Sequence, residues 1–148
     1  MPLPQRKSPR MKGFDYSMPT AYFITICTAD KTCIFGTPSQ LNAWGRIAWD
    51  AAVQLPQHFP GLIMEHFVIM PNHVHLLLTT APAHSLTAIV GSYKSRVTRL
   101  IHESGCDAEI WQRSFHDHVI RTQDAWERIW KYIEENPYMW EQDCFYQS

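Results

Sequence analysis

The chain has 148 residues, 45% of them hydrophobic and 18% charged, with a formal net charge of −1. That length suits one domain with one sizeable core, and the composition excludes an intrinsically disordered chain. No apolar run reaches the roughly 18–20 residues of a bilayer-spanning helix, and the leading stretch lacks the apolar segment of a secretory signal, so neither a membrane partner nor export is expected. Cys27, Cys33, Cys106 and Cys144 form no C-x-x-C pair, and free thiols in a reducing cytoplasm are expected.

Residues 1–19 carry Pro2, Pro4, Pro9 and Pro19 and read as an extended basic arm, with residues 20–148 as a single domain. Tyr22 to Thr28 is rich in β-branched and aromatic residues and predicts a strand. A short apolar patch, Cys33 to Phe35, is closed by Gly36 and Pro38. The spacing of Leu41, Trp44, Ala48, Ala51, Ala52 and Leu55 predicts a helix over 39–55, stopped by Pro56. Strands are predicted over 62–70 and 73–80, joined tightly through Pro71 and Asn72. From Ser85 a second helix carries an apolar stripe through Leu86, Ile89, Val90, Tyr93, Val97, Leu100 and Ile101. A last strand over 115–121 and a helix over 123–136, ended by Asn136 and Pro137, complete the chain. The order β-α-β-β-α-β plus a C-terminal helix predicts an α+β, ferredoxin-like (RRM-like) sandwich. Its antiparallel sheet would carry helices on one face and leave the other open to a ligand.

Alternation in a strand places His73, His75 and Leu77 on one side and Val74, Leu76 and Leu78 on the core side. A rigid strand would thus hold two imidazoles side by side, a common donor pair for a metal. A bare H-x-H is more often two surface histidines, and His116-Asp117-His118 is a competing pair on an edge-like strand. In the last helix Trp126, Ile129, Trp130 and Ile133 form the expected buried stripe. Tyr132 lies at its border, with Asn136 one turn later as a candidate oxygen ligand. Most tyrosines so placed are packing residues with a wet hydroxyl.

Charge is unevenly spread. Arg6, Lys7, Arg10 and Lys12 precede the first acid, and no acid lies between Glu65 and Glu103, where Lys94, Arg96 and Arg99 fall. These are the candidate DNA contacts, one subset of the helical trio touching phosphate and the other solvated.

Met70-Pro71-Asn72-His73-Val74-His75-Leu76-Leu77 together with Trp130-Lys131-Tyr132-Ile133-Glu134-Glu135-Asn136-Pro137 resembles the REP-associated tyrosine transposases, single-tyrosine members of the HUH endonuclease superfamily. Tyr22-Phe23-Ile24-Thr25, Tyr93-Lys94-Ser95 and Trp111 to His118 extend the resemblance over roughly residues 10–143. It implies that His73 and His75 bind a divalent ion, Mg²⁺ or Mn²⁺, and that Tyr132 is the nucleophile. Mn²⁺ is the better match to imidazole. Asn136 matches a polar ligand position, and His118 matches a family histidine, with a place behind the ligands or a DNA contact as its candidate roles. The implied reaction is nicking and strand transfer of single-stranded or hairpin DNA through a 5′-phosphotyrosine, in a bacterial cytoplasm, with a homodimer as a candidate assembly. Two rivals remain: a domesticated, inactive single-stranded nucleic-acid-binding module, and a hydrolase using activated water, which would not need Tyr132.

Overall fold

In the computed structural model, which describes residues 19–81, 83–143 and 145–147, the β-branched and aromatic run near the start is strand β1, Ala21–Cys27. Next come a small hairpin, β2 Gly36–Thr37 and β3 Gln40–Leu41, and helix α1, Ala43–His58. Strands β4, Ile63–Met70, and β5, His73–Thr79, precede α2, Leu86–Glu103, β6, His116–Ile120, and α3, Gln123–Glu135. The sheet order is β4-β5-β1-β6, with every neighbouring pair antiparallel. This is the expected ferredoxin-like α+β sandwich. Arg6, Lys7, Arg10 and Lys12 lie outside the described residues. Among the described residues no helix is long and apolar enough to cross a membrane.

Helix α1 begins and ends later than the periodicity predicts. Gly36 sits at φ 99°, where a Cβ would fall 2.6 Å from the Asn42 backbone nitrogen. The glycine-dependent turn diverts residues 36–41 into the hairpin, and Asn42, rather than Ser39, caps the helix by accepting from Gly45 N–H at 2.8 Å. Pro56 falls in the last turn, where it removes one helical bond without blocking a following turn, so the helix reaches His58.

Tyr22, Ile24 and Ile26 of β1 and Val74, Leu76 and Leu78 of β5 face α1 and α2 and form the larger core with Leu55, Tyr93, Val97 and Ile101. The opposite face is not open. Phe23, Val68, Met70, Leu77 and Ile120 make it apolar too, and α3 covers it through Ala125, Ile129 and Ile133. A sheet with apolar residues on both faces needs a layer on each. The buried side of α3 also differs from the predicted stripe. Ala125, Ile129 and Ile133 face the sheet, whereas Trp126 and Trp130 stack on each other at 5.1 Å along the border. Thr122 caps α3 by accepting from Ala125 N–H. Beyond it the chain continues as a 3₁₀ segment, Asn136–Gln142, that stays against the same face.

Candidate metal and nucleophile site

Register places the candidate residues. His75 stands opposite Thr25 of β1, which stands opposite His116 of β6, and His73 stands opposite Cys27. All lie on the face that α3 covers. The two H-x-H pairs therefore share a face but not an environment. His73 and His75, on an inner strand, are 0% exposed, while His116 and His118, on the edge strand, are half-buried. His118 stands opposite Phe23. Its pKa is lowered by partial burial and by the Arg121 charge, with Asp117 opposing.

The imidazoles of His73 and His75 have centroids 4.6 Å apart. Two imidazoles bound side by side to one ion through nitrogens at about 2.1 Å place their centroids roughly 4.5–5 Å apart, so the spacing fits a shared ion. Each ring is tethered through Nδ1. Asn72 donates its amide to the carbonyls of Lys31, at 3.1 Å, and Phe145, at 2.8 Å. That fixes its Oδ1 as the acceptor of the His73 Nδ1–H at 2.9 Å. Thr25 Oγ1 pairs with His75 Nδ1, also at 2.9 Å. Protonation at Nδ1 leaves Nε2 with the lone pair a metal requires. The turn carrying Asn72 is pinned in place, its carbonyl accepting from the Thr28 backbone N–H and side-chain hydroxyl.

Burial lowers the pKa of His73 to about 4, although Asp143 and the Asn136 side chain beside it favour the charged form. Burial and the neighbouring His73 hold His75 well below its ordinary value. Both rings are therefore neutral at pH 7. His73 Nε2, His75 Nε2 and Asn136 Oδ1 are all buried without a hydrogen-bond partner. Buried polar atoms left unpaired are costly, and three of this kind together fit a divalent ion. Among the described residues no three His, Cys, Asp or Glu side chains already stand as a metal-binding cluster; the third candidate donor beside the imidazoles is an amide.

Tyr132 is 38% exposed. Its ring packs edge-on against His75 at 5.4 Å and Phe23 at 6.0 Å. The rim position expected of it thus borders the histidine pair. Asn136 is buried, and its amide donates to Asp143 Oδ2 at 3.1 Å. The pair is sealed by the C-terminal segment, with Phe145 at 4.4 Å and Trp140 at 6.2 Å from the His73 ring. Asn72, Thr25, Asp143 and Phe145 were not legible as site residues. The only sequence signal was for Asn72, which directly precedes the histidine pair in a tight turn.

The helical cations lie in the α1–α2 layer, across the sheet from the histidines. Lys94 Nζ donates to the carbonyls of Gln112 at 2.7 Å and Arg113 at 3.2 Å, and Arg96 donates to Gln54 Oε1 at 2.8 Å. These two hold the fold together rather than standing solvated. Arg99 is exposed and lines an open groove with Lys94, His102 and Arg113.

The histidine pair lies on an inner strand beneath the helix that bears Tyr132, the arrangement that the resemblance to single-tyrosine transposases implies. A family model described as transposase IS200 like matches residues 54–136, and the chain belongs to that family. It is 32% identical to an uncharacterized protein of Haemophilus influenzae, over 95% of this chain and 93% of that protein. The fold is shared with a REP-associated tyrosine transposase solved bound to a REP hairpin, with a TM-score of 0.65 at 20% identity, covering 92% of this chain and 73% of that one. A protein of Deinococcus radiodurans described as a candidate transposase also shares it, with a TM-score of 0.54 at 20% identity, over 86% of this chain and 96% of that one.

Proposed function

We propose that this transposase-family protein nicks and rejoins single-stranded DNA through a 5′-phosphotyrosine at Tyr132, with a divalent ion held by His73, His75 and Asn136. The observation that carries this is the group of three buried, unpaired donor atoms beneath the helix that bears Tyr132. Mn²⁺ suits two imidazoles and an amide oxygen better than Mg²⁺ does. Such an ion supplies Lewis-acid polarisation of a phosphate oxygen when bound.

The chain's own residues do the rest. Asn72 holds His73 in the metal-binding tautomer, and Thr25 orients the His75 ring through Nδ1. Helix α3 fixes Tyr132 beside His75. The Tyr132 oxygen bonds to phosphorus as the bond to the 3′-oxygen breaks, and the phenolic proton passes through water to that leaving oxygen. The products are a 5′-phosphotyrosine and a free 3′-hydroxyl. The linkage keeps the phosphodiester's energy, so a 3′-hydroxyl can reverse the step without ATP. Because Phe145 and Trp140 seal the imidazoles, the C-terminal segment yields when DNA enters. Hairpin-bearing DNA is the proposed substrate class, a reading supported by the structural relative solved bound to a REP hairpin.

The test incubates the protein with end-labelled single-stranded and hairpin oligonucleotides and Mn²⁺, then separates covalent adducts on a denaturing gel. An adduct is expected from the native chain, none with EDTA and none from Tyr132→Phe, which removes one rim hydroxyl and leaves the fold intact. An adduct persisting in Tyr132→Phe would refute the assignment, and Tyr138, 87% exposed, would be tested next.

A further inference from the structure

The proposed ligand set of two imidazoles and one amide is neutral, yet its donor atoms are buried from solvent. A divalent ion placed there would be a buried charge with no compensation, which is strongly unfavourable. The structure brings one carboxylate to it. Asp143, on the C-terminal segment, has its side chain 1% exposed, and its Oδ2 stands 3.9 Å from His73 Nε2. With the imidazole neutral this is not an ion pair. The other carboxylate oxygen accepts from the Phe145 backbone N–H at 2.8 Å, so the group is held rather than free to swing away.

Two donors that each lie about 2.1 Å from one ion are separated by roughly 3.0 Å at a right angle and 4.2 Å when opposed. The 3.9 Å gap between His73 Nε2 and Asp143 Oδ2 falls inside that range. We propose that Asp143 is a further ligand of the divalent ion, an anionic oxygen delivered by the C-terminal segment to an otherwise neutral donor set. This rests on the metal-site assignment above and extends it. A carboxylate there also moves the donor set towards the oxygen chemistry that Mn²⁺ and Mg²⁺ prefer.

A simpler role is that Asp143 only orients the Asn136 amide, whose nitrogen donates to it at 3.1 Å. Mn²⁺ affinity separates the two, measured on the full chain by calorimetry and by the electron-spin-resonance signal of free Mn²⁺. Asp143→Asn keeps the shape and an acceptor oxygen. It is expected to lower Mn²⁺ affinity at least tenfold, and to do so again in an Asn136→Ala background. Asp143→Glu, which keeps the charge, is expected to retain most of the affinity. Affinity within twofold of the native chain in Asp143→Asn overturns the proposal, as does a loss that vanishes once Asn136 is gone. Undiminished Mn²⁺ binding by His73→Ala/His75→Ala would instead remove the metal site itself, so the two failures are distinguishable.

Discussion

The buried imidazoles make stability depend on acid within a defined window. The ordinary histidine value is 6.5, and burial lowers His73 to about 4 in the folded chain. Above pH 6.5 neither the folded nor the unfolded state protonates this ring, and the full stability is present. As pH falls from 6.5 towards 4 the unfolded chain takes up a proton that the folded chain refuses, so stability drops. Below about 4 the folded ring protonates as well, and the loss from His73 levels off. The gap is worth about 3 kcal/mol, which for a chain of this length is about 6–12 °C in Tm. His75, lowered by burial and by His73, carries the loss further into acid. The assay is thermal unfolding between pH 7.5 and pH 4 in EDTA, for the native chain and for His73→Ala/His75→Ala. Cavities lower the variant's baseline, but the comparison is of slopes. The variant is expected to lose several degrees less across the window. Equal slopes would refute the burial argument, since the remaining histidines are present in both proteins.

Two further outcomes follow from the same geometry. Thr25→Val removes the partner of His75 Nδ1 while keeping the volume, and is expected to lower Mn²⁺ affinity by about 10–100-fold; calorimetry showing native affinity would rule out the tether. Arg99→Ala, or deletion of residues 1–12, is expected to reduce the salt slope of hairpin binding by about 0.7–0.9 for each phosphate no longer neutralised. Titrations at several salt concentrations that give unchanged slopes and affinities would show these cations to be merely solvated.

What the sequence could and could not show has a physical pattern. Strand alternation placed Val74, Leu76 and Leu78 in the core and the histidines on the other face, because a period of two is a local property. It could not show that the other face would be covered. That depends on Phe23, Val68, Met70 and Leu77 meeting across three strands, and pairing register is not written in any one segment. Trp126 and Trp130 misdirected the predicted stripe of α3, since large aromatics can lie flat along a border while Ala125 and Ile129 take the close contact. Asp143 and Phe145 were illegible for a related reason. They lie beyond a 3₁₀ segment, Asn136–Gln142, that is kinked at Met139, and no apolar periodicity marks them.

Register also explains how the proposed nucleophile and the proposed metal ligands can be held together. Across the covered face, one row of cross-strand neighbours is His66, Leu77, Phe23 and His118; the next is Val68, His75, Thr25 and His116; the next is Met70, His73 and Cys27. The first row is apolar at its centre and gives α3 a seat. The other two supply the imidazoles and the Thr25 tether. Tyr132 touches Phe23 in the first row and His75 in the second, so the helix is anchored by one row and its tyrosine is aimed along the other. Asn136 lies four residues on, about 6 Å further along the helix axis, and is buried beside His73. A single rigid element therefore sets Tyr132 and Asn136, the proposed nucleophile and amide ligand, at a fixed separation. Any ion that draws Asn136 into place also fixes the distance from Tyr132 to the histidines. On the proposed function, the apolar contacts of Ile129 and Ile133 act on the chemistry without touching the substrate, by deciding where along the sheet that separation falls.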